Sequence, residues 1–391
     1  MSKELNIALI GSGFMGQAHA DAYARAALLY PDLPARPVLY GLADASEDLA
    51  RTSGERFGCH VTTGDWESLV ADPKVDVVDI TTPNLMHYEM AMAAIAAGKH
   101  VYCEKPLSVS LADAEAMTVA AEKAGVKTMV AFNNIKTPAA MLAKQLIDCG
   151  DIGQPTRFRG WFDQGFFNDP ELPWSWRCSR REAGSGALGD LGSHVISVAQ
   201  YLMGPTTDVV AQTQTIFPTR PEASGGSGYG ATTGENAKRL DVENEDQVQS
   251  LLRFENGAGG VIEASRIAAG KVFGIYWEVS GTEGTIIMDG ERFNELKISR
   301  FTDPKPDRGF KTIYAGSHVP QFGGFFGFDF AGGGLGYFDI KVIEVYDLVM
   351  GICGTDDCFP NFRFGLENER IIDAIEKSTV AATWVTVEGG S

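Results

Sequence analysis

Hydrophobic positions in the first third of the chain alternate between short apolar runs and longer segments with a helical period. The apolar, β-branched runs are typical of buried strands, and the segments between them are typical of crossover helices. Strands are predicted at 6–10, 38–43, 77–81, 100–103 and 128–132, and helices near 15–28, 46–57, 84–97 and 110–124. This alternation predicts a parallel sheet with right-handed crossovers.

The pattern changes between residues 133 and 160. A helix is predicted near 138–149, and after a turn-rich link alternating strands dominate, for example at 247–254, 258–265 and 276–280. Strict alternation is typical of an antiparallel sheet with one solvated face. With 391 residues, the chain exceeds what one core usually supports. We therefore predict an α/β Rossmann domain over 1–133 and an α+β domain with a large, mostly antiparallel open sheet over 134–391.

Composition narrows the classes of partner. Hydrophobic residues make up 44% and charged residues 21%, as in soluble globular proteins. No apolar run is long enough to span a membrane, and the N-terminus leads directly into a strand, so we expect a cytoplasmic protein without a signal peptide. The net charge of −18 disfavours nucleic acid and anionic membranes. Six scattered cysteines indicate reduced thiols, and no metal site is predicted.

The first predicted strand runs into a glycine-rich turn formed by Gly11, Gly13 and Gly16, with Phe14 and Met15 between the last two glycines. Such a spacing arises by chance in a chain with 45 glycines, so the motif alone is weak evidence. Here it lies between a strand and a helix, where glycines permit a tight turn and close approach of a pyrophosphate to the helix N-terminus. This context predicts dinucleotide binding.

Asp44 ends the second predicted strand and is followed by the uncharged Ala45. A carboxylate at this edge accepts the ribose hydroxyls of NAD and repels the 2′-phosphate of NADP. We therefore predict NAD, although Ser46 and Arg51 are close enough in sequence to help a phosphate. The usual spacing from the glycines is about 20 residues. Here it is longer, and we assign the surplus to a proline-rich loop at 30–37.

Two further strand ends carry candidate residues. The Thr82-Pro83-Asn84 segment is predicted beside the nicotinamide half of a bound dinucleotide, although helix capping explains the same residues. The apolar run at 100–103 ends in Glu104 and Lys105 before a proline. Open α/β sheets bind ligands at this carboxyl edge, so Lys105 is predicted to face the site. The alternative is a surface lysine at a strand end.

In the second domain, Asp190 and His194 are four residues apart, so a helix would place them on one face. The apolar positions of residues 195–202 support such a helix. A solvent-facing acid and histidine would have the same spacing.

Taken together and in this order, the glycine turn, the Glu104-Lys105-Pro106 motif and the Asp190-to-His194 segment resemble the glucose-fructose oxidoreductase, inositol dehydrogenase and rhizopine-catabolism (Gfo/Idh/MocA) family. The resemblance covers nearly the whole chain. It implies a second domain that binds substrate and forms a subunit interface, with a homotetramer favoured. It also implies nicotinamide-dependent oxidation of a cyclic polyol or sugar, with Lys105, Asp190 and His194 as the catalytic set. Residues 173–177 and the long tail are most similar to scyllo-inositol dehydrogenases and their relatives acting on sugars and anhydrosugars.

The resulting site assignments are as follows. The predicted cofactor-binding residues are Gly11, Gly13, Phe14, Met15, Gly16, Asp44, Ala45, Thr82, Pro83, Asn84, His87, Glu104, Lys105, Asn133, Trp176 and Arg177. The predicted substrate-binding residues are Lys105, Asn134, Gln164, Arg177, Asp190 and His194. Two positions depart from the family: Lys136 lies where many members have an arginine nearby, and Ser197 lies where an acid is common.

The chemistry suits these side chains. A neutral imidazole is well matched to removing a hydroxyl proton near pH 7, and a lysine stabilises the developing alkoxide. Aromatic faces predicted from Trp174, Trp176 and Phe167, with polar groups at the rim from Asp163, Gln164, Asn168 and Arg177, favour a neutral polyhydroxylated ring. We expect oxidation of scyllo- or myo-inositol, with weaker activity on glucose-like pyranoses including L-glucose.

Three alternatives remain open at this point. One is a levoglucosan or glycoside 3-dehydrogenase. Another is an NAD-binding regulator without turnover, which would need none of the three catalytic candidates. The third is an oxidoreductase with permanently held NADP, against which Asp44 counts.

Two glycine-rich segments, 220–246 and 322–338, are predicted to be either loose surface excursions or functional loops. We expect the phenylalanines of the second segment to pack on a neighbouring subunit.

Overall fold

The computed structural model describes residues 3–225, 231–325, 335–354 and 357–389. The chain divides into two compact units, the first formed by residues 1–136 and 316–366 and the second by 137–315 and 367–391. The predicted boundary after residue 133 lies three residues from the first division. Residues 316–366, which the sequence places in the second domain, instead belong with the first unit. They do so because helix residues such as Val342 and Val345 are buried in the same core as Ile7 and Tyr23.

The first unit contains a six-stranded parallel sheet in the order β3-β2-β1-β4-β5-β6. This strand order confirms the predicted Rossmann domain. The strands are β1 (Lys3–Ile10), β2 (Ala35–Ala43), β3 (Val61–Thr63), β4 (Val77–Ile80), β5 (His100–Cys103) and β6 (Thr128–Val130).

Two helices of this unit begin at a serine that caps the first turn and end at a glycine in the left-handed conformation. Ser46 caps the second helix by accepting a hydrogen bond from the Leu49 amide, and Gly58 ends it with φ of +77°. Ser110 and Gly125 do the same for the fifth helix. The helices are α1 (Phe14–Leu29), α2 (Glu47–Phe57), α3 (Trp66–Ala71), α4 (His87–Ala96), α5 (Leu111–Ala124) and α9 (Tyr337–Cys353).

Two features of this sheet differ from the sequence prediction. Strand β2 begins at Ala35, so the predicted proline-rich loop is shorter and Pro37 lies within the strand. Proline is tolerated there because β3 pairs only with Gly41–Ala43, which leaves that end of β2 with a strand neighbour on one side. The short β3 and α3 were not predicted, since three partly polar residues give little periodicity.

The second unit is built on a nine-stranded sheet in the order β18-β17-β16-β15-β7-β14-β13-β8-β19. Only β7 and β14 are parallel neighbours, which confirms a mostly antiparallel sheet. The strands are β7 (Pro155–Asp163), β8 (Thr206–Gln214), β13 (Gln247–Phe254), β14 (Gly259–Ser265), β15 (Gly274–Gly281), β16 (Gly284–Asp289), β17 (Glu295–Arg300), β18 (Lys311–Tyr314) and β19 (Val385–Thr386).

Helices α6 (Pro138–Asp148), α7 (Arg180–Ala183) and α8 (Ser193–Met203) belong to this unit, and α10 (Phe362–Ala381) supplies its C-terminal helix. A 3₁₀ turn covers Trp176–Cys178, and a π-helical turn covers Leu188–Gly192 immediately before α8.

The two glycine-rich segments are more ordered than a loose excursion over the part described. Residues 220–246 contribute to two small ribbons, one pairing β9 (Thr219–Pro221) with β12 (Arg239–Asp241) and one pairing β10 (Ala223–Gly225) with β11 (Thr232–Thr233). In the other segment, Phe322 is fully buried within its own chain, so its expected packing on a neighbouring subunit is wrong. Phe325 packs against the core of the first unit. The sequence-based expectations for residues 226–230 and 326–334 lie outside the described residues.

Within the described ranges, no helix has both the length and the apolar character needed to cross a membrane. Over the same residues, no group of three or more His, Cys, Asp or Glu side chains is arranged to hold a metal ion.

Candidate active site

The glycine turn has the backbone geometry that a dinucleotide pyrophosphate requires. Gly11 has φ of +98°, and a Cβ atom on Gly16 would lie 2.1 Å from the Gly11 carbonyl oxygen, so both positions need glycine. A Cβ atom on Gly13 would meet nothing within 4 Å. There is therefore open space beside the N-terminus of α1, a 16-residue helix, where a phosphate group fits.

Asp44 is held against this turn. Its Oδ2 atom accepts hydrogen bonds from the Ser12 amide at 2.8 Å and the Ser12 hydroxyl at 2.5 Å, and its Oδ1 atom accepts one from the Ala45 amide at 2.7 Å. The half-buried carboxylate is thus fixed at the end of β2 with capacity to accept from a ribose. Arg51, the cation that could have served a 2′-phosphate, lies within 3.4 Å of both Asp48 and Glu55. These residues fit NAD.

The loop after β4 is tied to the glycine turn and to the Lys105 loop. The Thr81 hydroxyl donates to the Gly11 carbonyl at 2.9 Å. The buried His87 ring lies between two main-chain carbonyls, with Nδ1 2.9 Å from Pro106 O and Nε2 3.1 Å from Thr82 O. Burial lowers the pKa of His87. The ring therefore holds two loops of the predicted cofactor site together, and its contact with a cofactor stays a prediction.

Glu104 anchors the strand end that carries Lys105. Its Oε1 atom lies 3.0 Å from His19 Nε2 and 2.7 Å from Lys341 Nζ, while its Oε2 atom accepts from the Lys105 amide at 3.1 Å. The carboxylate is buried, and Lys105 itself is half-buried. The buried Glu104 side chain therefore fixes the main chain at Lys105.

The anchor continues into a buried network of charged and phenolic groups. His19 Nδ1 lies 2.9 Å from Asp79, which also accepts from the Tyr23 hydroxyl at 2.8 Å. Lys341 lies 3.0 Å from Glu344, which accepts from the Tyr102 hydroxyl at 2.8 Å. The side chains of this set are at most 8% exposed. Each buried charge thus has a partner of opposite sign, as burial in a core requires.

The pKa directions follow from this pairing. Burial alone would lower the pKa of His19, but Asp79 and then Glu104 raise it to about 9 against the opposing charge of Lys341. Burial would raise the pKa of Glu104, but Lys341 and His19 hold it well below the usual range. At Glu344, burial raises the pKa by more than the nearby charge of Lys341 lowers it, so the pKa of this carboxyl is raised. The carboxylates facing His19 thus raise its pKa, and the cations facing Glu104 lower the pKa of that carboxyl.

In the second unit, Asp190 and Arg177 lie close together. The Arg177 Nε atom lies 3.4 Å from Asp190 Oδ2, and the guanidinium carbon lies 4.4 Å from the centre of the Trp176 ring. All three side chains are half-buried. This arrangement gives a carboxylate, a cation and an aromatic face within one small region.

His194 lies in the first turn of α8, and Asp190 lies in the π turn that precedes it. The sequence predicts one regular helix through both residues, and the π turn is the observed difference. Such turns occur frequently at functional sites. The His194 side chain is 5% exposed, and its ring packs edge-on against Phe162 with centroids 5.7 Å apart. The hydroxyl of Ser197 donates to the His194 carbonyl at 2.7 Å, so this position serves the helix backbone.

One predicted ring-binding residue is wrong. Phe167 is 6% exposed, and its ring is covered by the guanidinium groups of Arg220 and Arg266 at 3.8 Å and 4.7 Å. Trp174 is half-buried, and its indole donates to the Asp241 carbonyl at 2.9 Å. Trp174 and Trp176 remain the candidate aromatic faces.

The other predicted substrate residues differ in exposure. Gln164 and Asp163 are half-buried, and burial together with Glu263 raises the pKa of Asp163. Asn168 is exposed. Asn133 and Asn134 are buried in a 3₁₀ turn, Asn133–Lys136, and the Lys136 ammonium lies 2.6 Å from Asp347.

The sequence prediction missed Lys341 and Glu344. A signal was available for both, because Lys341 and Glu344 are charges three residues apart within residues 340–345 of α9, which are otherwise apolar. Charged residues are rarely fully buried unless paired, so this pattern indicates an internal ion pair.

Models of two protein families match the chain. Residues 5–132 match the model described as "Oxidoreductase family, NAD-binding Rossmann fold", and residues 141–287 match the model described as "GFO/IDH/MocA C-terminal domain".

Similar proteins cover nearly the whole chain. Levoglucosan dehydrogenase of Pseudarthrobacter phenanthrenivorans is 41% identical over 386 residues, which is 98% of each chain. A crystal structure of an NAD-binding oxidoreductase from Klebsiella pneumoniae is 65% identical with a TM-score of 0.93, covering 98% of this chain and 99% of that one. A structure of levoglucosan dehydrogenase with NADH and levoglucosan is 40% identical with a TM-score of 0.92 and the same coverage.

An inositol-oxidising relative is less similar. Myo-inositol 2-dehydrogenase of Thermotoga maritima is 30% identical and covers 79% of this chain and 82% of its own length. The comparisons therefore favour the levoglucosan alternative over the inositol expectation.

Proposed function

Because the chain belongs to the Gfo/Idh/MocA oxidoreductase family, with an NAD-binding Rossmann domain, we propose that it oxidises one secondary hydroxyl of an anhydrosugar or pyranose of the levoglucosan type. The observation that carries this proposal is the 41% identity to levoglucosan dehydrogenase across 98% of both chains. An identity of this size over the full length exceeds the 30% shared with the inositol enzyme over a shorter span.

The cofactor is NAD, which accepts the hydride when bound. Gly11, Gly13 and Gly16 would admit its pyrophosphate at the start of α1, because one position is open and the other two permit the tight turn. Asp44 would accept the ribose hydroxyls, since its carboxylate is already oriented by Ser12 and Ala45.

The chemical step requires a proton acceptor and a group that stabilises negative charge. We assign the first role to His194, whose imidazole can take the hydroxyl proton near neutral pH. We assign the second to Lys105, whose ammonium would favour the alkoxide as it forms. Asp190, held by Arg177, would orient the substrate or the imidazole.

Substrate selection is assigned to the region around Trp176. An aromatic face suits the C–H face of a pyranose, while Arg177 and Gln164 would bond to hydroxyls at its rim. The Arg177 charge is already balanced by Asp190, so Arg177 does not by itself favour an acidic substrate over a neutral sugar.

The test is a set of initial-rate measurements of NADH formation by the purified chain. Levoglucosan, D-glucose, a methyl glucoside, myo-inositol and scyllo-inositol would each be supplied with NAD, and the preferred sugar would be repeated with NADP. We expect the highest kcat/KM for levoglucosan or a related pyranoside with NAD. Faster oxidation of an inositol would instead support the expectation that the chain is an inositol dehydrogenase. Absence of turnover on every compound would overturn the proposed activity.

A further inference from the structure

Glu245 binds three consecutive amides at the start of the π turn. Its Oε1 atom accepts from the Gly186 amide and the Leu188 amide, both at 2.8 Å. Its main-chain carbonyl accepts from the Ala187 amide at 3.0 Å. Glu245 is buried and lies two residues before β13, so it reaches this turn from a distant part of the sequence.

The first amides of a helix have no partner within the helix, and a side chain just before it normally accepts from them. The π turn has no such local acceptor, because its cap residue is Ala187. Glu245 supplies the acceptor instead, and a carboxylate at this end also complements the helix dipole. The fit is close: a Cβ atom on Gly186 would lie 2.0 Å from the Glu245 carbonyl oxygen.

The residues on either side of Glu245 hold neighbouring parts of the same region. The side-chain amide of Asn244 donates to the carbonyls of Arg177 and Ser179 at 3.0 Å and 3.1 Å. Asp246 accepts from Arg266 at 2.9 Å, and Arg266 donates to the Arg177 carbonyl at 3.2 Å. Residues 244–246 therefore fix the main chain of both the Arg177 turn and the turn that carries Asp190.

We infer that Glu245 is a positioning residue for Asp190 and His194. It sets where the π turn begins, and that start determines where Asp190 and the first turn of α8 lie. The inference rests on the proposed function, in which these two side chains act on the substrate. A misplacement of about 1 Å costs roughly 100-fold in rate, so a remote cap can control turnover without touching the substrate.

The test compares three variants. Glu245→Ala removes the acceptor, Glu245→Asp keeps the charge but shortens the side chain, and Glu245→Gln keeps an acceptor oxygen at the same length. Hydrogen exchange of the peptide spanning 184–192, measured by mass spectrometry, reports the cap without reference to activity. We expect faster exchange and a loss in kcat of roughly 10- to 100-fold for Ala and Asp, with NADH affinity unchanged and recovery in Gln to within a few-fold.

Glu243→Ala is the matched control, because the Glu243 carboxylate accepts from the Arg180 amide at an exposed position two residues away. It should leave kcat and the exchange of 184–192 unchanged. The inference is overturned if folded Glu245→Asp, or Glu245→Ala, turns over within about twofold of wild type, a difference too small for a misplaced catalytic group. Failure of the proposed function would appear separately, as absence of sugar oxidation in the wild-type protein.

Discussion

The protonated state of the buried His19 makes a measurable contribution to stability. Asp79 and Glu104 raise its pKa to about 9 from the ordinary 6.5 despite burial and Lys341. Between about pH 6.5 and about pH 9, His19 of the folded protein therefore keeps a proton that the unfolded chain has released. The stabilisation is complete below about pH 6.5 and is lost as the pH rises through about 9. Each pKa unit corresponds to about 1.4 kcal/mol, so the higher pKa of His19 in the folded state stabilises the protein by roughly 3 kcal/mol below about pH 6.5.

His19→Gln removes the titration while keeping a polar side chain at the site. The quantity to compare is the free energy of unfolding of wild type minus that of the variant. We expect this difference to be larger by roughly 3 kcal/mol at about pH 6 than at about pH 9.5. Urea unfolding at one fixed protein concentration, followed by circular dichroism at several pH values, measures this difference. His60→Gln is the control, because His60 is exposed and outside the network. A wild-type-to-variant difference that stays constant over this pH range would refute a charged His19.

Three further outcomes are expected. Asp44→Ser should lower the preference for NAD over NADP, measured as the ratio of kcat/KM values, because it removes the carboxylate that repels a 2′-phosphate; an unchanged ratio would exclude Asp44 from cofactor selection. Lys105→Ala and His194→Ala should each lower kcat about 100-fold or more while NADH binding, followed by fluorescence, survives; near-normal turnover would remove that residue from the mechanism. Burial raises the pKa of Glu376 to about 7, with Arg180 opposing. Its ionisation therefore costs stability as the pH rises, and Glu376→Gln should flatten the fall in Tm between about pH 4.5 and about pH 7; a parallel fall in both proteins would contradict this.

The sequence predicted five of the six strands of the parallel sheet because each of these contains a short apolar run, and the family predicted from three motifs is confirmed. It did not predict β3, whose three residues carry too little pattern. It also assigned residues 316–366 to the second domain, because the return of α9 to the first core depends on tertiary packing that local periodicity does not encode.

The candidate site shows the same division between local and distant information. Lys105, Asp190 and His194 could be selected because each belongs to a short motif, and their catalytic roles remain predictions. Glu245 could not be selected, because it meets its amide partners across 57 and 59 residues. Phe167 was misassigned since arginines are usually exposed. Here Arg220 and Arg266 are at most 1% exposed and cover its ring.

The Glu104 carboxylate links the stability of the first unit to the position of Lys105. One oxygen contacts both His19 and Lys341, and the other accepts from the Lys105 amide. Loss of the His19 proton at high pH removes a charged donor from Glu104, so turnover should fall through a shift of the strand end as well as through any titrating group at the substrate. The pH profile of kcat in His19→Gln separates these causes. An alkaline decline that persists unchanged in the variant arises from groups that touch the substrate, whereas a decline that disappears or moves arises from the buried network.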